Sequence, residues 1–178
     1  RRSSDLSACG HMDGKLLLLP PLQMGMDALY VAKDLIPYTD DCIAAVIGEA
    51  NGEKKCILFN QNGFLFEDSK THLTLDEKSR GLREGKSLQR LYEAPFGNIG
   101  VIFDDEGILP EPARVKMLCG CDILLWSGGN APSEVIRTRA AENKMYVIYS
   151  GDIETSQSAV IVNPDGTELC AAFSGREQ

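Results

Sequence analysis

Asn98-Ile99-Gly100-Val101-Ile102-Phe103 is a short apolar run that breaks off into three consecutive acids, Asp104-Asp105-Glu106. A run of this length, without polar alternation, reads as a strand buried on both faces. Downstream, the pattern predicts a helix over 111–118, a strand over 122–126, a helix over 133–143 and a strand over 145–149. Strands over 159–162 and 168–173 follow, joined through the turn Asn163-Pro164-Asp165-Gly166. Upstream, Leu16-Leu17-Leu18-Leu19 reads as a strand stopped by Pro20-Pro21, and residues 24–36 as a helix ending at Pro37. The runs 43–48 and 55–60 flank Asn51-Gly52, a dipeptide that tolerates positive φ at both positions, so they read as an antiparallel hairpin. Residues 67–90 are polar and lack a sustained period, and are expected to form a long loop. Strands that alternate with helices, with hairpins mixed in, define an α/β class with mixed sheets. A single domain over 1–178 is expected.

Composition narrows the partners. The chain has 178 residues and a formal charge of −8, which argues against non-specific binding to nucleic acid. No apolar run approaches the roughly 20 residues needed to span a bilayer, so no membrane association is expected. Six cysteines, Cys9, Cys42, Cys56, Cys119, Cys121 and Cys170, lack zinc-ligand spacing and read as thiols of a reducing compartment. The only histidines are His11 and His72, few for a metal site. The polar first residues carry no signal-peptide core, which leaves the cytoplasm as the expected location.

The acid triplet is the outstanding local feature, because ligands of open α/β sheets collect beyond the carboxyl ends of strands. If the strand persists, alternation puts Asp104 and Glu106 on one side. The cluster then reads either as a solvated loop start or as a site for a cation. A phospho-receiver reading needs an Asp closing the next strand, and that strand ends in Trp126. Ser127-Gly128-Gly129-Asn130 is glycine-rich, but it lacks the Lys-Ser/Thr of a P-loop and reads as a turn. No Gly-x-Ser-x-Gly elbow is present for a serine nucleophile.

Longer blocks carry a resemblance. Lys70-Thr71-His72-Leu73 with Glu77, then Phe96-Gly97-Asn98-Ile99-Gly100, are followed in order by Pro110-Glu111, Cys121-Asp122-Ile123-Leu124-Leu125, Arg137-Thr138-Arg139-Ala140-Ala141-Glu142-Asn143 and Val162-Asn163-Pro164-Asp165-Gly166. Over about residues 15–173 the chain resembles the nitrilase superfamily of carbon–nitrogen hydrolases. The resemblance implies an α-β-β-α sandwich, a homodimer, small amide or carbamoyl ligands, and catalysis by Glu, Lys and Cys without cofactor or metal. In that chemistry a thiolate attacks the amide carbon, the carboxylate moves the proton and the ammonium stabilises the oxyanion.

Carried over by position, the lysine falls on Lys70. The general-base position holds Pro21, which cannot exchange a proton, and the nucleophile position, counted back from Pro110-Glu111, holds Asp104, followed by Asp105 and Glu106. Two of the three reacting groups are therefore replaced, and Asp104 is expected to pair with Lys70. His72, Glu77, Asp105, Glu106, Arg139 and Glu142 are expected to bind or support the site. Cys119 and Cys121 precede the next strand, at its amino end, and are poor substitutes for a nucleophile. Relative to the family the chain looks shortened at both ends. The leading expectation is a catalytically impaired member, a pseudoenzyme or binding subunit. The alternatives are an active amidohydrolase with a non-standard nucleophile and an acidic metal-binding α/β domain.

Overall fold

The computed structural model describes residues 16–151 and 157–173, so Cys9 and His11 lie outside the described residues. The chain divides into two compact units, with the boundary between Gly85 and Lys86.

The first unit is built on a four-stranded sheet in the order β1 (Leu16–Leu18), β2 (Ile43–Ala50), β3 (Glu53–Asn60), β4 (Gly63–Ser69). β1 runs parallel to β2 and the remaining pairs are antiparallel. The expected hairpin is present: Asn51 and Gly52 have φ of 54° and 73°, and Ala50 faces Glu53 across the turn. Helix α1 (Ala28–Leu35) starts later than the composition predicts, because the Asp27 carboxylate accepts the Leu29 and Tyr30 amides and fixes the first turn there. A 3₁₀ turn, Ile36–Tyr38, ends it at Pro37. Ala28 and Ala32 of α1 pack on Ala44, Val46, Ile57 and Phe59, forming the core of this unit. Fully burying a side chain of Val or Phe size contributes about 1.5–3 kcal/mol.

The expected long loop over 67–90 is corrected in part. Its first residues belong to β4, which pairs with β3 from Lys55↔Ser69 to Asn60↔Gly63. A short helix, α2 (Leu75–Ser79), then opens on a reciprocal cap: the Thr74 hydroxyl accepts the Glu77 amide and the Glu77 carboxylate accepts the Thr74 amide.

The second unit is a six-stranded mixed sheet in the order β10 (Glu168–Phe173), β9 (Gln157–Val162), β8 (Tyr146–Ser150), β7 (Ile123–Ser127), β6 (Gly97–Phe103), β5 (Tyr92–Ala94). The three central strands, β6, β7 and β8, are parallel. Helices α3 (Pro110–Leu118) and α4 (Ser133–Asn143) make the crossovers between them. Ile102, Leu124, Trp126, Val147, Tyr149 and Val160 from the sheet meet Ala113 and, from α4, Ile136 and Ala140 in one buried cluster. The register places Phe103, Ser127 and Ser150 side by side where the parallel strands end. Among the described residues, no helix is long and apolar enough to cross a membrane.

Candidate functional site

Within the second unit, chemistry-bearing residues gather where β6 stops. The strand does not persist through the acid triplet, so Asp104 and Glu106 do not share a strand face. The chain turns into a 3₁₀ helix, Asp104–Ile108, and Asp104 takes a left-handed φ of 41°. A left-handed, non-glycine residue is retained only where its surroundings over-determine it. The indole Nε1 of Trp126 donates to the Asp104 carbonyl at 2.7 Å. Gly128 and Gly129, with φ of 90° and 71°, wrap the other side. A Cβ on Gly128 would lie 2.0 Å from Asp104 Oδ1, and one on Gly129 would lie 3.2 Å from the Asp104 backbone.

The rest of the triplet points elsewhere. Glu106 is buried, and its Oε2 accepts the Phe103 amide at 3.2 Å, so this carboxylate braces the backbone. Asp105 is exposed. The three acids do not converge, and no group of three or more His, Cys, Asp or Glu able to hold a metal occurs among the described residues. Arg139 and Glu142 stand behind the same turn. The Arg139 guanidinium donates to the carbonyls of Gly107 (3.0 Å) and Ile108 (2.7 Å) and to Glu142 Oε1 (2.6 Å).

Sequence reasoning missed the glycine loop and its fastening. The Tyr149 hydroxyl donates to the Gly129 carbonyl at 2.9 Å and accepts the Ala131 amide at 3.2 Å, which pins the loop read as a plain turn. Two adjacent glycines at the carboxyl end of a parallel strand were the available signal, since backbone approaches a site most closely there. Next to them Ser127 Oγ is buried without a hydrogen-bond partner among the described residues.

In the first unit, Lys70 follows β4 and is 1% exposed. Both oxygens of Glu77 accept from its ammonium, at 3.0 and 2.9 Å, and Lys54 stands 3.9 Å from the same carboxylate. Burial pushes the Glu77 carboxyl up, but the hydrogen bonds from Lys70 and the Thr74 amide and the charges of Lys70 and Lys54 outweigh it, holding the group below the usual carboxylate range. Backbone bonds from Lys70 N–H to Lys54 and from Gly85 N–H to the Lys70 carbonyl fix the lysine's position. His72 is exposed, with Nδ1 3.0 Å from the Thr71 hydroxyl. Pro21 lies just beyond β1, between Leu19 and Leu22, whose amides bond to Ala45 and Ile47 of β2. Its side chain brings no ionisable group to that position.

The family model for carbon–nitrogen hydrolases matches residues 43–178. The chain belongs to the carbon–nitrogen hydrolases of the nitrilase superfamily. Solved structures agree on the nitrilase fold. Nit3 of Saccharomyces cerevisiae, a member of branch 10 of the superfamily, superposes with a TM-score of 0.74 at 17% identity, over 99% of this chain and 80% of that one. An amidase from Nesterenkonia sp. reaches a TM-score of 0.78 at 15% identity, over 98% and 79% of the two chains. A carbon–nitrogen hydrolase from Helicobacter pylori G27 also reaches 0.78 at 15% identity, over 99% and 80%. No curated protein sequence matches the chain.

Proposed function

We propose that this nitrilase-superfamily protein has lost the hydrolysis of carbon–nitrogen bonds and keeps its site for binding a small amide or carbamoyl compound. The observation that supports this reading is the residue held at the elbow after β6. Residue 104 is an aspartate whose carboxylate lies against Gly128, where the family's chemistry calls for a thiolate. A carboxylate attacking an amide would give a mixed anhydride, less stable than the amide it replaces, and would need a base to move the proton. Pro21, at the base position, has nothing to move it with. Lys70, at the oxyanion position, is present and carries its own counter-ion in Glu77. The framework around residue 104, meanwhile, is fully built, from Trp126, Tyr149, Arg139 and two left-handed glycines.

The same reading makes the protein a cytoplasmic homodimer. Family resemblance supports the dimer, and the thiols of Cys42, Cys56, Cys119, Cys121 and Cys170 suit a reducing compartment.

The test is ammonia release from a panel of amides, carbamoyl acids and nitriles by three proteins: the unmodified chain, Lys70→Met, and Pro21→Glu combined with Asp104→Cys. The expected result is no turnover by the first two and measurable turnover by the double variant. Turnover by the unmodified chain that disappears in Lys70→Met would overturn the reading and require another nucleophile.

A further inference from the structure

Two carbonyls of the turn carrying Asp104, those of Gly107 and Ile108, come at its C-terminal end, where a 3₁₀ helix leaves its last acceptors without partners of its own. Gly107 is buried, so an unpaired carbonyl there would be costly. Arg139, 7% exposed on α4, supplies both bonds from one guanidinium, Nε to Gly107 and a terminal nitrogen to Ile108. A planar fork fits two consecutive carbonyls, and it places a cation where the turn's dipole favours one. Glu142 takes the remaining terminal nitrogen. The opposite side of the turn is equally constrained. A Cβ on Gly107 would fall 2.1 Å from the Trp126 ring, so this glycine sits flat on the indole, and the same indole donates to the Asp104 carbonyl.

From this geometry we infer that Arg139 is a positioning residue for residue 104: it clamps the turn against Trp126 and so fixes the left-handed elbow. It reaches the elbow through the Gly107 and Ile108 carbonyls and Trp126. The inference goes beyond the proposed function, since it holds whether the site binds or turns over its ligand.

Trp126 is the only tryptophan of the 178-residue chain, so emission from that chain reads this contact directly. The test compares the unmodified chain, Arg139→Met, Arg139→Lys and Arg137→Met, an exposed neighbour on α4. Two readouts are taken below the melting temperature: acrylamide quenching of Trp126, and, with Asp104→Cys added to each protein, alkylation of the introduced thiol relative to exposed Cys119 in the same chain. Both ratios are expected to change by about threefold or more in Arg139→Met, less in Arg139→Lys, and not in Arg137→Met. A folded Arg139→Met with wild-type values in both readouts overturns the inference, as does an equal change in Arg137→Met. Where Arg139→Met does not fold, Arg139→Lys decides, because one ammonium cannot hold both carbonyls: a shift in either readout supports the clamp and wild-type values in both refute it.

Discussion

Glu77 turns back across the start of α2 and grips the Lys70 ammonium with both carboxylate oxygens, at 3.0 and 2.9 Å. Both side chains are almost wholly shielded from water, so the pair is a buried one. Removing one partner of such a pair leaves an uncompensated buried charge, which costs about 3–5 kcal/mol, whereas replacing both by apolar groups of similar volume is often close to neutral. Glu77→Gln is therefore expected to lower the free energy of urea-induced unfolding by several kcal/mol, and Lys70→Met combined with Glu77→Leu by much less. A smaller loss in Glu77→Gln than in the double variant would show that residue 77 matters to the helix cap, which Gln can still make and Leu cannot, and not to the lysine.

Acid sensitivity follows from the same contact. A carboxyl held below its ordinary value binds its proton less readily folded than unfolded, so it adds stability above the unfolded value and loses it as pH falls through the folded one. The unmodified chain is expected to lose stability as pH drops below about 4.5, and the Lys70→Met/Glu77→Leu variant is expected to show a shallower slope over that range. Unfolding free energies measured from pH 7 downwards in both proteins check this; parallel curves would assign acid lability to other groups.

Legibility differs between the parts of the molecule for physical reasons. The runs 98–103 and 43–48 announce buried strands because each is apolar on both faces, and Asn51-Gly52 announces its turn through backbone freedom alone. The region after residue 67 was not legible by periodicity. β4 is an edge strand that includes exposed Phe64 and Glu67, and α2 is only five residues long. The Thr74-to-Glu77 spacing was the one local sign of that helix. At the candidate site, the end of the apolar run put Asp104 just past a buried strand, but its left-handed backbone was not legible, because it is imposed by Trp126, Gly128 and Arg139 from other elements. Glu106 went the other way: an acid that looked available for chemistry is spent on the Phe103 amide.

Cysteine reactivity offers a direct check on which thiols are buried. Cys119 is exposed after α3, and Cys121, two residues on, is buried beneath it in the helix-covered cluster. Burial pushes the Cys121 thiol up to about 12, so it carries almost no thiolate at pH 8. Alkylation under native conditions followed by peptide mapping is expected to modify Cys119 and Cys170 first and to spare Cys121 until the protein unfolds. Early modification of Cys121 would mean that β7 opens at its amino end in the native state.

Gly128 and Asp104 are coupled by space. An alanine at 128 meets two obstacles: a φ of 90°, which costs an L-residue about 1–2 kcal/mol, and a methyl placed 2.0 Å from Asp104 Oδ1. The first obstacle is independent of residue 104, whereas the second vanishes when that side chain is shortened. Gly128→Ala is thus expected to destabilise by roughly 2–3 kcal/mol, and adding Asp104→Ala to return part of it, giving a coupling of about 0.5–3 kcal/mol in a double-mutant cycle. Strict additivity would mean that the aspartate leaves the glycine at no cost, and that the loop does not hold the carboxylate in place. That outcome would also weaken the proposed function, because a carboxylate free to swing away from Gly128 does not hold the place which that proposal assigns to the family's thiol.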